Sequence, residues 1–227
     1  MTDAVTKSAS NLQANTMLRW AVKDLGRAPY QAIWDQMRVF TDERTKGTPD
    51  ELWRVEHDPV FTQGLAGKPE HVLNAQGMSQ ASIPLVQTDR GGQVTYHGPG
   101  QVVLYPLLDL DRLGVGVRCL VNHLEQAVID VLAVLDIHGE RKEGAPGVYI
   151  EGAKVASIGL KVRKGCTYHG LAVNVDMDLS PFSLINPCGM AGLPMTQIVD
   201  HHPDITLEWT SEKLTQTLAG RLGYYQT

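Results

Sequence analysis

The sequence predicts an α+β fold: a mixed, largely antiparallel sheet with helices packed on it. Two observations carry this expectation. Apolar residues recur at threes and fours in separated segments near 30–40, 117–135 and 207–222, whereas residues 147–176 alternate in short β-rich runs divided by Glu151-Gly152 and Lys164-Gly165. The two kinds of segment are interspersed without a βαβ rhythm, which argues against a doubly wound parallel sheet.

Residues 1–15 are rich in Ser, Thr, Asn and Ala and show no periodicity, so they read as a flexible N-terminal tail. Leu18, Trp20 and Val22 alternate as a strand that Gly26 is expected to end. Pro29 suits the first position of a helix, where a missing N–H costs nothing. Tyr30, Ile33, Trp34, Met37 and Val39/Phe40 give that helix one apolar face as far as Lys46-Gly47. Residues 51–110 read as strands and glycine-rich loops. A long helix follows, its stripe running from Val117 through Leu120, Leu124, Val128 and Val131 to Leu135, with Cys119 placed inside the apolar run. The runs of 147–176 form an antiparallel meander. The last helix spans 207–222, with Thr206 or Thr210 as cap and Gly223 as stop. No linker interrupts residues 16–227, which are read as a single domain.

Composition excludes several function classes. The chain has 227 residues with Lys+Arg 20 against Asp+Glu 25, a net charge of −5, so bulk nucleic-acid binding is not expected. Three cysteines without CxxC spacing argue against a disulfide framework and for a reducing compartment. The longest apolar stretch, Val102 to Leu108, contains Pro106 and falls far short of the roughly 20 residues of a spanning helix. No apolar h-region is visible near the N-terminus, so a soluble, cytoplasmic protein is expected. No additional apolar surface is readable, which suggests a monomer.

Three segments carry residue types suited to chemistry. Arg90-Gly91-Gly92-Gln93-Val94-Thr95-Tyr96-His97-Gly98-Pro99-Gly100 is rich enough in glycine to bring backbone N–H groups close to a ligand, or to form a bulged hairpin. On Ala153–Arg163, period-2 parity puts Lys154 with Ala156, Ile158, Leu160 and Val162 on a buried face, opposite Lys161 and Arg163. An inward lysine is either paired and functional or snorkels to water from a strand end. Cys188 sits between Pro187 and Gly189 in a turn, presented rather than packed. It reads as a nucleophile beside a Gly189 amide or as an inert loop thiol. His169 shares parity with Leu171, Val173 and Val175 and reads as a core histidine or a site wall. The pair Cys166/His169 and the adjacent His201-His202 do not supply four ligands at zinc spacing, so no metal is expected.

Together, RGGQVTYHGPGQ (Arg90–Gln101), GVYIEGAKVASIGLKV (Gly147–Val162), TYHGLAVNVDMD (Thr167–Asp178) and INPCG (Ile185–Gly189) resemble the octanoyl-[acyl carrier protein]:protein N-octanoyltransferases, the lipoate–protein ligase B family. The resemblance implies an α+β fold similar to the biotin and lipoate protein ligase catalytic domain. It implies octanoyl or lipoyl transfer from acyl carrier protein to a lysine on the lipoyl domains of 2-oxoacid dehydrogenase complexes and on the glycine cleavage H protein. No cofactor is implied. Cys188 matches the thioester nucleophile and Lys154 the lysine that favours its thiolate. Arg90, Gly91, Gly92, Gln93, Val94, Thr95, Tyr96 and His97, then Ser157, Ile158 and Gly159, then Gly170, Leu171 and Ala172, match the acyl-binding segments. The alternatives are an ATP-dependent lipoate or biotin ligase on the same fold, which needs no nucleophilic cysteine, and a non-catalytic acyl or lipoyl-domain binder. Arg141, Lys142, Lys161, Arg163 and Lys164 are the cations expected to greet an acidic carrier.

Overall fold

A computed structural model describes residues 18–226; the tail expected over residues 1–15 lies outside them. Strand β1 (Leu18–Ala28) leads through helix α1 (Tyr30–Glu43) to β2 (Asp50–His57). Strand β3 (Val60–Gln63), the short helix α2 (Ala75–Gln80), β4 (Leu85–Gln87), β5 (Val94–His97) and β6 (Gln101–Leu107) follow. The one-turn α3 (Leu110–Leu113) and the long α4 (Val117–Val134) precede the meander β7 (Gly147–Ile150), β8 (Ala153–Arg163) and β9 (Cys166–Asn174). Helix α5 (Leu207–Leu222) and β10 (Tyr224–Gln226) close the chain.

A seven-stranded sheet runs β10-β1-β2-β6-β9-β8-β7, and a three-stranded sheet runs β4-β3-β5. In the large sheet β1 is parallel to both β10 and β2, and the remaining pairs are antiparallel. The mixed, largely antiparallel α+β expectation therefore stands. One βαβ unit does occur, β1-α1-β2, and because it stands alone it leaves no repeating rhythm in the sequence.

Two helical layers sandwich the large sheet. On one face, α4 and α5 bury Leu120, Leu124, Val128, Val131, Leu214 and Leu218 against Leu52, Leu104, Val148, Leu171 and Val173. On the other, α1 sets Ile33 and Met37 against Trp53, Val103, Tyr105, Tyr168 and Ala172. Each such burial contributes roughly 1.5–3 kcal/mol, so the α4 stripe alone outweighs its weak capping. The same stripe leaves Cys119 on the opposite side of α4, exposed rather than packed. The end of α5 matches the sequence: Thr206 Oγ1 accepts the Trp209 N–H, and Gly223 stops the helix at φ 74°.

Three boundaries differ from expectation. Gly26 does not end β1; at φ 59° it lies in a register shift between Asp24 and Arg27. Pro29 caps α1 rather than opening it, and the helix stops at Glu43, where the Arg44 backbone leaves the helical region at ψ 139° and its side chain reaches Asp50 and the Leu107 carbonyl. Helix α2 lies in the stretch read as strands and loops, capped by Asn74, whose Oδ1 accepts the Gly77 N–H.

Candidate active site

Strand β8 carries the lysine, and a bulge decides where it points. Tyr149 pairs with Lys154 and Val148 with Ala156, so Val155 is the extra residue. Val155, Ala156 and Ile158 join the core under α4 and α5. Lys154 is thereby turned to the opposite face, with Ser157 and Gly159. The parity expectation is corrected here: Lys154 is buried, but not among Ala156, Ile158 and Leu160. Lys161 and Arg163 share its face instead of opposing it.

Lys154 is fully buried, and its Nζ donates to the Pro146 carbonyl at 2.7 Å and to Cys188 Sγ at 3.0 Å, with the Tyr149 ring centroid 5.2 Å away. Gly147 makes room for it. A Cβ there would stand 2.6 Å from Lys154 Cε, and the φ of 135° already requires glycine.

The thiol comes from the turn Pro187–Gly189, where Cys188 itself adopts the left-handed conformation, φ 57° and ψ 18°. A non-glycine residue held there is costly and marks a constrained position. The strap from His71 to Asn74 holds the turn: the Asn186 N–H donates to the His71 carbonyl, and the Leu73 N–H to the Leu184 carbonyl. The Gly189 N–H donates to the Asn186 carbonyl at 2.9 Å and is not free to face a substrate, which corrects the expectation placed on it.

Cys188 opens on a cavity of about 500 Å³, within the usual range for a small-molecule site. The structure brings the predicted segments together around it: Arg90 to Thr95 and His97, Ser157 to Gly159, His169, and Gly170 to Ala172 all line it. Tyr96 does not. Alternation along β5 turns it away into the small sheet's core, against Phe61 and Phe182. Sequence reasoning missed Tyr30, Val103, Tyr105, Pro146 and Met190, which line the cavity from separate elements. They read as ordinary core or loop residues, and no local signal distinguishes them.

The glycine-rich loop is clamped rather than open. The Gly91 N–H goes to the Leu160 carbonyl, and the Arg90 and Gly92 carbonyls accept from Leu65 and Ala66. Arg90 is buried and donates to the Thr62 carbonyl and hydroxyl, which makes it a pin for the loop. Burial pushes its guanidinium below the ordinary value, and the nearby Tyr30 and Cys188 oppose that push.

One wall of the cavity is a buried polar layer. His169 escapes strand parity through its own left-handed φ of 57°, which turns it from the Leu171 and Val173 side towards α1. Its Nε2–H donates to Asp89 at 3.0 Å, and its Nδ1 accepts from Tyr30 Oη at 3.3 Å. His57 donates to the Ala28 carbonyl and accepts from Tyr105 Oη, and His97 donates to Gln101 Oε1. Burial lowers His57 to about 4 and His97 to about 3, and lowers His169 as well. Burial acts to raise Asp89, but donation from His169, Tyr168 and Trp34 outweighs it and holds the carboxyl well below the usual range.

These shifts set the acid response of the fold. The unfolded chain protonates its histidines near 6.5, whereas His57 and His97 stay neutral in the fold to about 4 and about 3. The unfolded state therefore binds more protons in that window. Stability is full above about 6.5 and falls as pH drops through it. The Asp89 contribution is present above about 4 and is lost below that. Urea midpoints should drop between pH 7 and pH 5, and less steeply in His57→Gln; identical midpoints at the two pH values would contradict the assignment.

The cations expected to form a docking face are largely occupied. Arg163 and Lys164 pair with Asp42, Arg141 with Glu125, and Lys142 donates to the Gly152 carbonyl. Among the described residues, no group of three or more His, Cys, Asp or Glu side chains is arranged to hold a metal.

A buried lysine thus stands 3.0 Å from a cysteine at the edge of a mainly apolar cavity. The lipoyl protein ligase A/B catalytic domain model matches residues 29–219. Among solved structures, lipoate-protein ligase A bound with ATP aligns at TM-score 0.77 and 15% identity, covering 92% of this chain and 87% of that one. The biotin protein ligase from Aquifex aeolicus in complex with biotin and ATP aligns at 0.54 and 12%, covering 90% and 70%. These likenesses establish the fold. In sequence the chain is 55% identical over 205 residues to the octanoyltransferase of Shewanella sp. (strain ANA-3), covering 90% of this chain and 92% of that protein. It is 53% identical over 213 residues to the octanoyltransferase of Shewanella amazonensis, covering 94% and 95%. The chain belongs to the octanoyltransferases of the lipoyl protein ligase A/B catalytic-domain family, and its activity is acyl transfer in protein lipoylation.

Proposed function

We propose that the chain carries an octanoyl group as a thioester on Cys188 and passes it to a lysine of a lipoyl domain. The observation that carries this is the 3.0 Å contact of the buried Lys154 Nζ with Cys188 Sγ at the edge of the cavity. An ammonium at that distance is placed to pair with the attacking sulfur.

The chemistry balances without ATP. The Cys188 thiolate adds to the carbonyl carbon of the octanoyl carrier thioester, and the π pair moves to oxygen. Collapse breaks the bond to the carrier sulfur, which leaves as a thiolate and takes a proton from the Lys154 ammonium. An uncharged acceptor amine then adds to the octanoyl-Cys188 carbonyl, and neutral Lys154 takes the proton from its nitrogen. Cys188 leaves as the thiolate, and the ion pair is restored. The apolar walls bind the chain at about 0.8 kcal/mol per buried methylene.

The partners in this reading are octanoyl-acyl carrier protein as donor, and lipoyl domains of 2-oxoacid dehydrogenase complexes and the glycine cleavage H protein as acceptors. The protein works as a monomer in the cytoplasm, a compartment suited to three unpaired cysteines. No helix among the described residues is long and apolar enough to cross a membrane.

Intact mass after incubation with octanoyl-acyl carrier protein tests the route. An octanoyl adduct that forms without ATP and disappears when a lipoyl domain is added is expected. An absolute requirement for ATP would move the chain to the adenylating ligases, and tight binding without an adduct would make it a binder.

A further inference from the structure

Every addition to a thioester carbonyl puts negative charge on oxygen, and the amides expected to receive it are occupied. Gly189 donates to Asn186 and Gly91 to Leu160. Two side chains stand beside the thiol turn instead. A Cβ on Gly189 would stand 3.1 Å from His71 Nε2 and 3.1 Å from Gln93 Cδ, so an imidazole and a primary amide both stand beside the turn at Gly189. In both residues the atom on the inner side is orphaned: His71 Nδ1 and Gln93 Oε1 are buried and have no hydrogen-bond partner.

Those orphans fix what each group can offer. A proton on a buried Nδ1 without an acceptor is costly, so the Nε2 edge, beside Gly189, is the side of the His71 ring fitted to donate. Gln93, which lines the cavity together with Cys188, has its carbonyl oxygen shut in and its Nε2 left as the end able to meet a ligand. The Cys188 N–H makes no backbone hydrogen bond among the described residues. Three donors without an acceptor among the described residues thus stand at the thiol turn, Gln93 and Cys188 on the cavity and His71 beside Gly189. Unfilled donors held in place where charge develops are the arrangement that stabilises an oxyanion.

We propose that His71 Nε2–H, with the Gln93 amide and the Cys188 N–H, holds the oxyanion in both passages of the acyl group, and that His71 is a catalytic residue of this site. This rests on the Cys188 thioester route. In each passage the donors receive the electron pair that moves from the C=O bond to oxygen. They exchange no proton and return unchanged when the intermediate collapses. The rest of the strap is not asked to change, because its grip on the turn runs through the His71 carbonyl rather than its ring.

The test sets acyl transfer against a thiol reaction that forms no oxyanion. Single-turnover acylation by an octanoyl thioester and alkylation by iodoacetamide are measured on His71→Leu, His71→Gln and Gln93→Leu. His71→Leu should slow acylation and the following aminolysis each by about 10²-fold while alkylation stays within about twofold. His71→Gln, which returns an N–H to the same place, should recover much of the loss. Alkylation falling in step with acylation would show that the ring only shapes the turn, and equal losses in His71→Leu and His71→Gln would remove the donor role. Either result overturns the proposal. The unsubstituted protein separates the two levels: no adduct there would sink the thioester route itself, whereas an adduct with unimpaired His71→Leu would sink only the oxyanion assignment.

Discussion

Cys188→Ser is expected to reduce octanoyl transfer by on the order of 10⁴-fold or more, with no octanoyl adduct detectable by mass. The serine hydroxyl occupies the same left-handed turn position, but an ammonium 3.0 Å away does not ionise it as it does a thiol. The other two thiols are controls of different kinds. Cys119 is exposed on α4, and Cys166 is buried at the start of β9, where burial raises its thiol from the ordinary value. Cys119→Ala should behave as the unsubstituted protein, and Cys166→Ala should keep substantial activity. An octanoyl adduct on Cys188→Ala would refute the assignment.

The second large effect belongs to Lys154. Lys154→Met keeps the aliphatic stem against Gly147 and the Tyr149 ring but removes the charge. Iodoacetamide alkylation of Cys188 at neutral pH should slow by about tenfold or more, since a free thiol near 8.5 is mostly protonated there. Octanoyl transfer should fall further, because the proton carrier of both half-reactions is gone as well. Lys154→Arg should not restore it. A guanidinium stays protonated and cannot take the proton of the acceptor amine. Unchanged alkylation in Lys154→Met would mean that the contact with Cys188 does not hold the thiolate.

Much of this architecture was legible along the chain. The α4 stripe, the meander with its two turns, and the Thr206 and Gly223 boundaries of α5 are local patterns. Burial of one helix face or one strand face writes its period directly into the residues. The glycine-rich loop and the Pro-Cys-Gly turn were legible for a related reason, since unusual backbone conformations restrict residue choice. What was not legible came from single-residue departures. The bulge at Val155 reversed the facing of Lys154, and the left-handed φ of His169 turned it out of its strand's parity. A period-2 count has no means of registering either, because one extra residue or one inverted dihedral shifts the face without altering composition.

By itself the sequence determined the class of fold, because one-sided burial writes its period into residue type and spacing. Residue type and spacing left Cys188, Lys154 and the glycine-rich loop open between a functional and an inert reading, and only the family resemblance singled them out; relatives 53–55% identical carry the name octanoyltransferase. Only the tertiary structure decided that Lys154 reaches Cys188, that Tyr96 faces away, and that Gly189 and Gly91 have already spent their amides. It alone brought His71, from a strap with no motif of its own, against the thiol turn. Hydrogen-bond partners are settled by which backbone groups meet across strands and turns far apart in the chain. That competition for donors and acceptors exists only once the elements have packed.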